Sequence, residues 1–403
     1  MVLERRLSIA HFDSWPGDST YYEVIKNSSS RFRSEIFDIY FGKVFRYNYT
    51  DREPWDDRQK AHDVVYGNVM GVEASDAQVE SLFRIQSEFG IPVSLTINQL
   101  NIPVELFYSR NDRVVKAFAD WLDGFYQKGL RSCTLANNHL MRTGILQRLF
   151  PEMKWKNTVN QQVMTAQQVT DYLYLGYDII QLDRSLNRNL GELKRIKGAV
   201  DQFRAEHPKK NVRTCMLVWE DCLPSCPFKR EHDDLQIYHK CVNYYLSGPG
   251  SYTCNRWRDA TGKSLFPRSG TNCCWVSRET FETYAELVDI FKFSGRMTSF
   301  VSLDGAGDLQ YGWSAKNNAL ASFGEILEHN LEPFNAWAIG AFKLSPFEQN
   351  PSKIRQDLAG SLWLTPQGRK LEKQLMTCRS QCYNCHLCEK TFGLPDLNSL
   401  IEL

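Results

Sequence analysis

The chain has 403 residues, of which 42% are hydrophobic and 24% charged, enough apolar side chain for a packed core and too much for a disordered polymer. Lys and Arg number 48 against 47 Asp and Glu, a formal charge of +1, so no global basic field marks a nucleic-acid coat or a membrane-surface protein. Mean hydropathy is −0.43, and no uninterrupted apolar run reaches the ~20 residues that a membrane-spanning helix needs.

The first residues, Met1 to Ser8, lead straight into a strand-like segment with no apolar leader, so a cytoplasmic location is expected. Short apolar, β-rich segments then alternate with helical patterns. Strands are expected at residues 7–12, 35–41, 92–98, 131–136, 156–160, 178–182, 212–219 and 289–293. Between them, residues 77–89, 114–126 and 189–203 carry apolar side chains at helical spacing. Eight strands alternating with helices imply parallel βαβ units, and eight is the number that closes a (β/α)8 TIM-like barrel. A doubly wound open sheet is the alternative. The barrel is expected to occupy residues 1–330, with 331–403 as a C-terminal extension.

Two regions break the rhythm. Residues 220–278 form a long cysteine-rich loop punctuated by Pro224, Pro227 and Gly248-Pro249-Gly250. A connection of that length inside a compact domain is normally functional. It follows the seventh expected strand, which in a barrel puts it at the C-terminal mouth, where active sites are built. The second region follows an expected helix at 315–329 and is interrupted by Pro333, Pro346, Pro351 and Pro366.

Twelve cysteines are unevenly spread: Cys133 stands alone, seven lie from Cys215 to Cys274, and four close the chain. In a reducing compartment such clusters bind metal or do redox chemistry. The tail motif, Cys378, Cys382, Cys385 and Cys388, has spacing that suits one metal centre, leaning toward an iron–sulfur cluster, with zinc as the alternative. His386 between them is read as a bystander. In the loop, Cys222 and Cys226-Pro227 are the firmest ligands, because a proline turns the chain away from an inorganic core. Cys241 and Cys273 are the expected remainder, with Cys215, Cys254 and Cys274 as rivals. An iron–sulfur cluster is therefore expected in the loop, and the tail makes two clusters an option. The spacing of radical S-adenosylmethionine enzymes recurs at Cys378, Cys382 and Cys385, but at the end of the chain rather than after the first strand.

A third constellation marks the expected strand ends: Asp13, Asn98, Asn137, Asn138, Asn160, Asp183, Arg184 and Arg296. Arg184 and Arg188 lie on one turn and can clamp a carboxylate or phosphate. Alternatively Ser185 or Asn187 caps a helix and the arginines pair with acids. Gly295 allows close backbone approach, and Arg296 would then enter the mouth, where packing explains a cation poorly. Catalytic candidates are thus Arg184, Arg188, Arg296, Asn160 and Asp183. The chain carries no P-loop, no dinucleotide-binding glycine fingerprint, no zinc-protease helix motif and no nucleophile elbow.

The loop from Cys222 to His232, the segment Ile290-Phe-Lys-Phe-Ser-Gly-Arg296, Trp275 to Phe281, Thr158 to Asn160 and Gln181 to Arg188 together resemble peptidase family U-32, the collagenase-like proteases. The resemblance spans most of residues 1–300. It implies a TIM-like barrel with a cysteine-ligated 4Fe–4S cluster, and relatives that act in RNA hydroxylation or oxygen-independent hydroxylation. Ser294 replaces the family's glutamate before the Gly-Arg pair, and the tail motif is additional. The expected function is an iron–sulfur-dependent redox or hydroxylation-type barrel enzyme acting on an anionic small molecule, RNA or peptide. A peptidase and a non-catalytic partner subunit binding a metabolite or RNA are the other classes. A protein partner or homo-oligomer is compatible with both.

Overall fold

The structure is a computed structural model that describes residues 5–11, 20–52, 59–68, 73–107, 112–218, 278–293, 301–303, 309–311, 319–320, 366–378, 382–385 and 387. Eight strands close a parallel barrel. They are β1 (Leu7–Ala10), β2 (Ile36–Gly42), β5 (Val93–Ile97), β6 (Ser132–Leu135), β7 (Lys154–Lys156), β8 (Ile179–Leu182), β9 (Arg213–Val218) and β10 (Ile290–Phe293). β1 pairs with both β2 and β10, which leaves no sheet edge. The expected barrel is present, and the open-sheet alternative is excluded.

Helices return the chain outside the strands. α1 (Thr20–Asn27) and α2 (Ser30–Glu35) precede β2, and α3 (Asp76–Phe89) precedes β5. α4 (Asp112–Gln127), α5 (Asn138–Thr143), α6 (Ile145–Leu149), α7 (Ala166–Tyr174), α8 (Leu190–Glu206) and α9 (Arg278–Ala285) follow in order. Local chemistry sets their ends. Ser75 and Gln78 form a reciprocal capping box at the start of α3, and Thr165 and Gln168 do the same for α7. α3 stops at Gly90, whose φ of 64° is left-handed and suits a residue without a Cβ. Outward strand residues such as Ile39, Leu95, Trp155, Ile180 and Phe291 pack against buried helix residues including Leu82, Phe118, Leu193 and Phe281 in one continuous core.

Three features depart from the sequence reading. The expected strand at 156–160 is β7 at Lys154–Lys156. Past it, Thr158 and Gln161 close a capping box around the 3-10 turn Val159–Gln161, and that turn ends the extended run. An antiparallel hairpin of two nine-residue strands, β3 (Val44–Arg52) and β4 (Gln59–Gly67), is inserted between β2 and α3, where no strand was expected. Buried Gln99 ties it to the end of β5, accepting from Gly67 N–H at 3.3 Å and donating to Val65 O at 3.2 Å. The expected helix at 315–329 gives way at Ala319–Leu320 to a strand, β13, in a small sheet with β11 (Val301–Leu303) and β12 (Leu309–Tyr311).

In the extension, α10 (Pro366–Leu375) docks on the barrel through buried Leu371 and Leu375. Leu190 N–H donates to Met376 O at 3.3 Å, and Thr377 forms a bridge with Asn189. The helix α11 (Cys382–Cys385) follows. Leu375→Ala should therefore cost about 2–4 kcal/mol in urea unfolding. A loss under about 1 kcal/mol would mean that the helix does not pack on the barrel core.

Candidate active site

Barrel lumens are usually filled by branched aliphatic side chains. This one is polar. Paired residues of parallel strands share a face, so register places Ser8, Asp38, Ser94, Thr134, Lys156, Gln181 and Lys292 inward. Lys156 forms a salt bridge to Asp38 across the lumen, with side chains 5% and 1% exposed. Ser8 Oγ donates to the other Asp38 oxygen at 2.6 Å. Lys292 Nζ donates to Gln181 Oε1 at 3.0 Å and lies 4.3 Å from the centre of the Tyr40 ring. Gln181 Nε2 donates to Thr134 Oγ1 at 3.2 Å and to Asn157 O at 2.5 Å. Asn157 is locked in turn, its amide donating to Gln181 O at 3.0 Å and accepting from Gln181 N–H at 2.5 Å.

Beneath this layer the lumen is apolar. Ile179, Cys215 and Ile290, near the N-terminal ends of their strands, cluster with Phe37. Burial pushes the Cys215 thiol up to about 12, although Lys292 and Lys156 oppose the shift. Burial raises the Cys133 thiol further still. Cys215, a rival ligand in the sequence reading, is thus a neutral thiol in the lumen floor.

Several of the expected strand-end residues lie among the described residues, and the structure assigns these a place. Asp183 Oδ1 accepts from Ser185 N–H at 2.8 Å and caps the 3-10 turn Arg184–Arg188, so its carboxylate holds the loop. The caps are therefore Asp183 and, for α8, Asn189, rather than Ser185 or Asn187. Asn187 donates to Leu217 O at 2.8 Å, and its carbonyl accepts from the Tyr284 hydroxyl. Arg184 and Arg188 are 5% and 1% exposed, and neither is without a partner. Asn160 is buried on the turn after β7. Asn138 is a brace: its Oδ1 accepts from Gln161 and from the Tyr177 hydroxyl, each at 2.8 Å.

Asp13, Arg296, Cys222, Cys226, Cys241, Cys254, Cys273, Cys274, His386 and Cys388 lie outside the described residues. Cys378 packs against the core, Cys385 is exposed, and the positions of Cys382 and Cys385 stand one helical turn apart. Among the described residues no three potential ligand side chains come together. The sequence reading missed Asp38, Lys156, Gln181 and Lys292. Their signal is a single polar residue inside an apolar strand, as in Ile290-Phe291-Lys292-Phe293.

No family model matches the chain. No curated protein matches it. In fold the chain resembles the U32 peptidase Mk0906, with a TM-score of 0.45 and 13% identity over 72% of this chain and 92% of that one. It also aligns with an alpha-amylase from Lactobacillus plantarum, with a TM-score of 0.32 and 11% identity over 53% and 62% of the two chains. The fold class itself follows from the closed strand order.

Two measurements check the lumen. Lys156→Met strands a buried carboxylate and should cost about 3–5 kcal/mol, and adding Asp38→Leu should recover most of that loss. A single-variant loss under about 1 kcal/mol would show that water screens the pair. The Cys215 thiol ionises near its ordinary value of about 8.5 once unfolded but stays neutral to about 12 when folded. Its contribution is whole below pH ~8.5 and is lost as pH rises, at about 1.4 kcal/mol per unit. Cys215→Ala should flatten the alkaline fall in stability by that slope, and an unchanged slope would place the thiol in contact with water.

Proposed function

We propose that this chain is a barrel enzyme that takes an anionic substrate at its strand-end mouth, beside a thiolate-held iron–sulfur cluster, for a redox or oxygen-independent hydroxylation-type reaction. The observation that carries the anionic part is the charge pattern of the lumen and mouth. Among the described residues there, Lys156, Lys292, Arg184 and Arg188 stand against the carboxylates Asp38 and Asp183. Four cations thus face two carboxylates among the described residues, an excess of positive charge that would favour a carboxylate or phosphate in a low-dielectric setting.

The donor chemistry fits a cluster. Cys222, Cys226, Cys241 and Cys273 would hold it in the loop after β9, and Cys378, Cys382, Cys385 and Cys388 would hold a second centre, with zinc as the alternative there. Bound, the cluster would supply electrons or Lewis-acid polarisation. The chain's own residues do the rest. Gln181 and Asn157 fix Lys292 in place, and the apolar floor shuts the lower lumen to water. The turn capped by Asp183 carries both arginines.

The test is iron and acid-labile sulfide content after anaerobic purification, with electron paramagnetic resonance of the reduced protein. Comparable iron and sulfide are expected. Cys226→Ala should abolish the visible absorbance of the loop cluster, while Cys382→Ala with Cys385→Ala removes only the tail's share of metal. A protein without sulfide ends the iron–sulfur reading. Loss of all metal in the tail variant means that the two cysteine groups share one site.

A further inference from the structure

The tail is fastened to the mouth at one joint. α8 begins at the rim, directly after the turn that carries Arg184 and Arg188, and Asn189 links the two. Its N–H donates to Leu186 O at 2.9 Å and closes the turn, while its Oδ1 accepts from Glu192 N–H at 3.1 Å and caps the helix. The tail grips the same place. Leu190 N–H donates to Met376 O at 3.3 Å, and Thr377 bridges Asn189. The next residue is Cys378, the first of the tail cysteines, which packs against the core. A candidate metal ligand thus stands one residue from the clasp on the arginine turn.

The turn is held from two sides. On one, Asn187 donates to Leu217 O at 2.8 Å, and its carbonyl accepts from the hydroxyl of buried Tyr284. Those partners belong to β9 and α9, elements of the barrel itself. On the other side, the clasp depends on a segment with little of its own to hold it. α10 has ten residues and α11 four, lengths at which an isolated helix is marginal in water. Among the described tail residues, only Leu371 and Leu375 are buried. A segment of that kind can open while the barrel stays folded. Metal ligation couples to chain order, so an ion shared by Cys378, Cys382 and Cys385 would fix the chain immediately beyond Thr377.

We infer that metal at the tail cysteines controls the order of the Arg184–Arg188 turn, through the clasp that Met376 and Thr377 make on Asn189 and Leu190. With the metal bound, the tail braces the turn from outside. Without it, the clasp opens and the turn keeps only its hold on β9 and α9. The inference rests on the reading of the tail as a metal centre. It needs neither the loop cluster nor a bound anion.

The experiment is amide hydrogen exchange on the full chain after anaerobic purification, with metal content measured on the same samples. The wild-type chain is compared with the variant carrying Cys382→Ala and Cys385→Ala. Exchange at Leu186, Asn189 and Leu190 should rise about fivefold in the variant, the scale of one backbone hydrogen bond. Amides of β2, on the opposite side of the barrel from β8, should keep their wild-type rates. Leu190→Pro tests the clasp itself. It deletes the N–H that reaches Met376, at the first position of α8, where proline is accepted. Leu190→Ala trims the side chain and keeps the N–H. Proline should raise exchange at Leu186 and Asn189 to the level of the cysteine variant, and alanine should not. Adding the cysteine changes to the proline should raise it no further. The inference fails if the cysteine variant loses metal while exchange at the turn is unchanged, if the rise spreads equally to β2, or if the proline and cysteine effects add. Each of those outcomes leaves the tail metal centre standing. A wild-type chain with no more metal than the cysteine variant ends both together.

Discussion

Closing eight parallel strands forces their inward side chains to satisfy one another, because no water reaches them from the sheet edges. Here the demand falls on Asp38 and Lys156, which meet across the lumen. Neither charge is tolerable alone at that depth. The pair fixes β2 and β7, three places apart around the barrel, relative to each other. It also sets what lies above it, since Gln181, Thr134, Asn157 and Lys292 complete a polar layer in which donors meet acceptors. An aliphatic lumen would close the barrel equally well. The polar layer has its use at the mouth, where it forms the floor under the strand-end loops.

Much of this architecture was legible in the sequence, for a physical reason. A strand buried on both faces is a short apolar run, and such runs alternating with helical stripes can be counted without knowing the register. β7 was displaced because it is only three residues long, Lys-Trp-Lys, with one apolar side chain to show. The segment after it, Thr158 to Asn160, has β-type composition, yet its hydroxyl and amides serve a turn. The hairpin β3–β4 was missed because its aromatic alternation, Phe45, Tyr47 and Tyr49, is interleaved with polar residues. Arg184 and Arg188 were legible as a pair on one turn, but their burial was not, because burial of a cation depends on what folds over it. Asp38, Gln181 and Lys292 were visible as interruptions, but only pairing shows which face an interruption takes.

The mouth owes its order to backbone capping. Asp183, Asn137, Thr158 and Asn189 each spend a side-chain oxygen on the start of a turn or helix. That use accounts for the concentration of short polar residues at the strand ends as fully as catalysis does. It also makes the rest of each side chain rigid. A capping amide has one end fixed, so its other end is a donor with a set direction, which is what recognition requires.

The apolar cluster of Phe37, Ile179, Cys215 and Ile290 has a consequence for access. It packs the lumen at the N-terminal side, so the barrel is a well and not a conduit. Under the proposed activity a ligand would enter and leave by the same rim. Four side chains at the bottom thus restrict traffic to one side of the barrel, far from where any of it would take place.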